Sequence, residues 1–177
     1  MAFVLGLLQD VVRIVFLRGS PERVYYTQRL GRYSLLLAVV ASAAAQALYF
    51  QDTVVFVILR VFAEATMFML MMVLLTAKIT RLRLAKVLVV LVLISLLVDS
   101  LLALLGVGLN LAGIDQNLRV LPAYLLAACA LYGAASVVAW GLSKPLLQGA
   151  GVMGLYILAV LGLDMSFRHL YQMMAGG

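Results

Sequence analysis

Five apolar stretches lie between Tyr33 and Phe167, each close to the length of about 20 residues that a helix needs to cross a hydrocarbon core roughly 30 Å thick. The solvent for most of this chain is therefore expected to be lipid. Composition agrees: 66% of residues are hydrophobic and 11% charged, against about 45 to 50% and about 25% in soluble proteins. The expected fold class is all-α, a polytopic integral membrane protein with five transmembrane helices preceded by an amphipathic interfacial helix. At 177 residues the spans use up most of the length, so no separate soluble domain is expected.

Met1 to Leu17 begins like a signal peptide, but Gln9, Asp10 and Arg13 interrupt its apolar run and no small-x-small cleavage site follows, so it is expected to be retained. At 100° per residue, Gly6, Gln9, Asp10 and Arg13 share one narrow face. Phe3, Val4, Leu7, Leu8, Val11, Ile14 and Val15 cover the other. This pattern predicts a helix lying in the membrane plane, or one packed against the spans; both uses need the same amphipathicity. Gly19 can end it, and Ser20-Pro21-Glu22 reads as the cap and first turn of a second helix. There Arg23, Arg29 and Arg32 mix with Tyr25, Tyr26 and Tyr33 at headgroup level.

The predicted organisation is a basic, amphipathic cytoplasmic segment over 1–32, a transmembrane domain over 33–167 and an exoplasmic tail over 168–177. The spans are placed at 33–50, 53–76, 87–109, 120–142 and 145–167, the first two as an antiparallel hairpin around Gln51-Asp52. Lys78, Arg81, Arg83 and Lys86 form a connector without an acid, the strongest orientation marker in the chain. Lys144 falls on the same side, and of the cations outside the spans only Arg119 and Arg168 fall on the other. The positive-inside rule then puts the N-terminus in the cytoplasm and the C-terminus outside. A bacterial cytoplasmic (inner) membrane is the expected location. The +6 formal charge is thereby explained by anionic headgroups, not by nucleic acid.

Membrane helices associate where small residues let backbones approach. Ala41 and Ala45 in the first span, Ala127, Ala130 and Ala134 in the fourth, and Ala150 and Gly154 in the fifth mark the expected seams. The third span, mostly large aliphatics, suits exposure to lipid. Met67, Met69, Met71 and Met72 have no accompanying His or Cys and read as packing filler rather than a copper ladder. The lone Cys129 can form no intramolecular disulfide and no cysteine zinc site.

Arg60, Glu64 and Asp99 are the sharpest features, since a charge at mid-bilayer costs about 2.5 to 3.5 kcal/mol even on the permissive insertion scale. Arg60 and Glu64 are four apart and share a helix face; Glu64 and Asp99 fall at similar depth. A polar cluster of all three between the second and third spans is expected, and its extra acid makes one carboxyl a candidate to take up a proton. Gln46, Gln148 and Asp164 lie nearer span ends and receive no role beyond helix contacts.

No catalytic triad, phosphate-cradling glycine loop, His-Glu-x-x-His helix or metal-ligand spacing is present, so no enzyme activity, metal or cofactor is expected. The layout of a cytoplasmic segment, five close spans and an exoplasmic C-terminus resembles the Ypt-interacting protein (Yip) family, whose small bacterial relatives also place a Pro-acid step before the first span. Here that step is Pro21-Glu22, within Leu17-Arg18-Gly19-Ser20-Pro21-Glu22-Arg23. The Asp-Leu-Tyr-Gly-Pro signature of the eukaryotic members is missing, so the resemblance implies only a non-enzymatic membrane adaptor. Three functions follow as expectations. The first is an accessory or scaffold protein that associates with the bilayer and with other membrane subunits or itself; the second is a small transporter or proton-coupled subunit using Arg60, Glu64 and Asp99; the third is a lipid-binding or membrane-curving protein that uses the N-terminal helix and the 78–86 cations.

Overall fold

The computed structural model describes residues 2–16, 21–24, 27–50, 52–113 and 120–175. Among them are α1 (Ala2–Phe16), α2 (Gln28–Leu48), α3 (Val54–Thr76), α4 (Arg81–Leu111), α5 (Val120–Leu142) and α6 (Leu146–Ala175), with a 3-10 turn at Pro21–Arg23 and no strand. The five helices from α2 to α6 are long and apolar enough to cross a bilayer.

Local chemistry sets the helix ends, and several differ from the sequence reading. Pro21 opens only the 3-10 turn; the cap of α2 is Thr27, whose hydroxyl accepts the Leu30 N–H at 3.1 Å. Ser20 lies outside the described residues, as do Tyr25, Tyr26 and Arg119. The basic connector is mostly helix, because α4 begins at Arg81 and runs through Arg83 and Lys86. Likewise α6 does not stop near Phe167 but continues to Ala175 through most of the predicted tail. Between α5 and α6 the Ser143 N–H donates to the Trp140 carbonyl at 3.1 Å and the Lys144 N–H to Ala139 at 2.9 Å, the bond pair that closes a helix C-terminus around a left-handed residue. That residue is usually glycine. Here Ser143 has φ 55°, and its hydroxyl accepts a hydrogen bond from Arg83 on α4, which offsets the cost of the left-handed backbone, about 1 to 2 kcal/mol.

The five long helices close a ring in the order α2, α4, α5, α6, α3 and back to α2. The expected hairpin of the first two spans is correspondingly loose: α2 lies mainly along α4, and α3 mainly along α6. The third span also differs from its reading. In α4 the run Val89 to Ile94 is buried together with Val87, Val98, Leu102 and Gly106, making it the most enclosed of the five rather than a lipid-exposed helix. A helix apolar all round suits either surrounding, and only its neighbours decide which it meets. By contrast α3 is the least enclosed, with Val57, Ala63, Met71, Met72 and Leu75 as its buried residues.

Glycine sets the closest joints. A Cβ on Gly106 would lie 2.6 Å from the Leu48 carbonyl oxygen, so α2 and α4 touch backbone to backbone at that end. Asn110 ties the same ends together by donating its Nδ2 to the Leu48 carbonyl at 3.0 Å. A Cβ on Gly149 would run into the Ala135 carbonyl and Ala139 of α5. Of the expected seam residues, Ala41, Ala45 and Ala134 are buried and Ala130 and Ala150 pack at the core edge, whereas Ala127 is exposed and Gly154 has open space over it. Cys129 packs against the main core.

In α1, Val11, Ile14 and Val15 are buried while Gly6, Gln9 and Arg13 are exposed, the division the helical wheel predicts. The buried side lies on α5 and α4, with the Val15 Cα 3.1 Å from where a Gly133 Cβ would sit. Packing against the spans therefore uses this part of the apolar face. Beside it, Trp140 Nε1 donates to Glu22 Oε1 at 3.1 Å and Lys86 Nζ to the Glu22 carbonyl at 3.3 Å, seating the turn after α1 on α4 and α5.

Leucine at Gly106 or Gly149 is expected to destabilise the bundle by about 1 to 3 kcal/mol through overpacking, whereas Gly162→Leu, over open space, should be nearly silent. Thermal unfolding in detergent compares the three. Equal losses would remove the close backbone approaches as the cause.

Candidate functional site

The long helix that packs least against the others carries two of the interior charges. On α3, Arg60 Nε donates to Glu64 Oε1 at 2.8 Å, the i,i+4 pair expected from the sequence. The other Glu64 oxygen accepts the Ser42 hydroxyl of α2 at 2.8 Å. Arg60 then reaches across to α6, its Nη1 standing 3.3 Å from Asp164 Oδ2. The same Asp164 oxygen accepts from Arg168 Nε at 3.1 Å, and Arg168 forks onto Asp52, just before α3, at 3.2 and 2.9 Å. Its guanidinium also lies over the Phe56 ring, 4.6 Å from the centroid.

These contacts make one continuous ladder, Ser42 to Glu64 to Arg60 to Asp164 to Arg168 to Asp52. It steps inward from the α2–α3 turn about one helical turn, or about 6 Å, at a time. Three carboxylates face two guanidinium groups along it. The innermost acid, Glu64, lies ten positions past Val54, about 15 Å along the helix. Asp164 is the best hidden charged member, with a side chain 9% exposed, and its Oδ1 is buried without a hydrogen-bond partner among the described residues.

Asp99 stands apart from the ladder. It bonds to neither Arg60 nor Glu64; its Oδ2 accepts the Ser95 hydroxyl, one turn earlier on α4, at 2.8 Å. The three-residue cluster expected from the sequence is therefore two paired residues and a third across a gap. The gap is a cavity of about 370 Å³ at the centre of the helix ring, with wall residues from all five helices. Arg60, Glu64 and Ser42 line one side and Asp99 and Ser95 another, with Gln46 and Tyr156 also on the wall. Ser95 is exposed and Asp99 half-buried on an otherwise enclosed stretch of α4, because both border this space. Counting Asp99, four carboxylates share the region with two guanidinium groups, an acidic excess that a cation or protons would neutralise.

Three ladder members, Asp164, Arg168 and Asp52, escape the sequence reading. Asp164 and Arg168 have the same i,i+4 spacing that singles out Arg60 and Glu64, but ending the last span at Phe167 puts the pair on opposite sides of a membrane boundary. Asp52 reads as a turn residue, and no local signal joins it to a helix 116 positions away. Gln46 likewise gains a place on the cavity wall. At the opposite end of the ring, Arg32, Lys78, Arg81 and Arg83 are exposed and Lys86 half-buried; the side chains of Arg23 and Arg29 lie outside the described residues. Arg83 and Lys86 are occupied with Ser143 and Glu22, so they brace the fold as well as charging the surface. Among the described residues, no three His, Cys, Asp or Glu side chains converge as metal ligands.

No family model, curated protein or solved structure matches this chain. The ladder and the cavity are therefore interpreted from their chemistry alone.

Arg60→Gln removes a donor shared by two acids, and Asp164→Asn removes an acceptor shared by two arginines. A double-mutant cycle on these positions, followed by unfolding titration, is expected to return a coupling of roughly 0.5 to 3 kcal/mol. Additive effects would mean that the cross-helix contact contributes nothing.

Proposed function

We propose that this is a multi-pass integral membrane protein that moves protons, or a small solute together with them, through the centre of its helix ring. One observation carries the reading: the cavity that brings Glu64 and Asp99 to a common space at mid-helix depth, one acid held in the ladder and the other bonded only within its own helix. Intramembrane carboxylates facing a cavity are the usual elements of proton relays, because lipid offers them no other solvation.

In this reading Arg60 pairs with Glu64 when the ladder is intact. A proton on Glu64 neutralises the inner end of the ladder, leaves Arg60 to Asp164 and weakens the hold of α3 on α2 at Ser42. Since α3 packs least against the other long helices, it is the wall that moves. Asp99 takes the proton next, across the cavity. The end bearing Lys78, Arg81 and Arg83 faces the cytoplasm, in keeping with the positive-inside rule.

Purified protein in vesicles holding a trapped pH dye, driven by a potassium diffusion potential, is expected to admit protons several-fold faster than protein-free vesicles. Glu64→Gln with Asp99→Asn should return the rate to background while leaving insertion intact. An unchanged rate in the double variant rejects the proton role.

A second reading, the accessory subunit, is favoured by the outer face of α6, where Gly151, Gly154 and Gly162 have open space above them. Small residues on a lipid-facing helix let a neighbouring backbone approach, and the adaptor role implied by the Yip resemblance fits such a face. Self-association in mild detergent that Gly154→Leu abolishes would support it. A monodisperse monomer for the unaltered protein counts against it.

A further inference from the structure

A second cavity, of about 520 Å³, opens between α3 and α6 at the opposite end from the ladder. Its walls are apolar, formed by Met67, Leu70 and Leu74 of α3 against Leu155 and Ala159 of α6, and Leu70, Leu74, Leu155 and Ala159 are exposed. Its mouth is not: Lys78 from the end of α3 and Lys144 from the turn before α6 both border it, joined by Gln148. Neither lysine has an ion-pair partner among the described residues. Lys86 and Arg83 on the neighbouring helix are already engaged with the protein itself, which leaves this pair as cations converging from two helices on a single opening.

We infer that the α3–α6 cleft binds an anionic glycerophospholipid, its phosphate between Lys78 and Lys144 and one acyl chain along the Met67–Leu74 wall. Three features select that occupant. From Lys78 to Met67 the cleft runs about 16 Å along α3 at the helical rise, which matches one leaflet, half of a hydrocarbon core roughly 30 Å thick. Polarity changes once along that length, cationic at the mouth and apolar below, as it does in a lipid and not in a free phosphate or a soluble peptide. The first turn of α6 borders the mouth, between Lys144 and Gln148, and adds the positive end of a helix dipole to the two ammonium groups. Basic pockets between membrane helices hold anionic headgroups by this chemistry.

The inference rests on membrane insertion but not on proton movement. A chain seated in the cleft would lie against both α3 and α6. Met71 and Tyr156 line both this cleft and the central cavity, so the lipid would lie beside the space that Glu64 and Asp99 border.

Native mass spectrometry of the purified protein, exposed to equal amounts of phosphatidylglycerol and phosphatidylcholine with matched chains, tests this directly. The expected result is preferential retention of phosphatidylglycerol, lowered roughly fivefold by either Lys78→Gln or Lys144→Gln and unaffected by Arg32→Gln, which removes an exposed cation elsewhere. Ala159→Phe, which fills the apolar part, should reduce retention with both lysines intact. Glu64→Gln with Asp99→Asn should leave lipid retention as it was, so loss of proton flux and loss of lipid are separate outcomes. Equal retention of the two lipids, or lysine variants that bind phosphatidylglycerol like the unaltered protein, overturns the inference.

Discussion

The chain of ion pairs that runs from Asp52 to Glu64 is what seats α3, and most of the molecule's character follows from α3 being held that way. A helix in lipid gains little by leaving lipid for another apolar helix, so it stays where close packing or polar bonds keep it. Helices α2, α4, α5 and α6 use close packing, through Gly106 and Gly149 and the buried face of α4. Helix α3 has few buried residues and no such glycine. Besides Met71, Met72 and Leu75 in the core, its attachment to both neighbours passes through Ser42, Asp164 and Arg168, charged and polar groups whose alternatives in hydrocarbon are far worse. Breaking one contact of this kind leaves a partner unpaired in low dielectric, so the ladder is directional and all-or-none where an apolar seam would be forgiving.

A ring closed on one side partly by charge need not be filled at its centre. The central cavity and the α3–α6 cleft both lie against α3, one toward each end. Each has apolar walls and a few polar groups from different helices, the composition typical of small-molecule sites. Their polar groups differ in sign: carboxylates outnumber cations around the central space, while lysines stand at the mouth of the cleft. A proton or cation suits the first and an anionic headgroup the second, so the two proposals assign different ligands to opposite ends of one helix.

How much of this is legible in the sequence varies by element and has a physical cause in each case. Spans are readable because hydrocarbon thickness sets a length and a composition that local sequence must meet. The Arg60–Glu64 pair is readable because helical periodicity alone places residues four apart on one face. Helix α4 is misjudged because a uniformly apolar surface is compatible with lipid and with protein alike. The Asp164–Arg168 half of the ladder is hidden for a different reason: α6 stays helical past the point where hydropathy predicts an exit, so the predicted boundary cuts through the pair.

What the amino-acid order determined by itself, then, was most of what is local to one helix: five segments able to span, an amphipathic first helix and the i,i+4 charge pair. Tertiary structure decided which segments are neighbours. That assignment separates Asp99 from Glu64 by a cavity, joins Asp52 to Arg168 across 116 positions and brings Lys78 to the same opening as Lys144. The reason is that lipid rewards each span separately and is almost indifferent to their order in the bundle, so the choice among arrangements falls to glycines that admit a backbone and to charges that find one another.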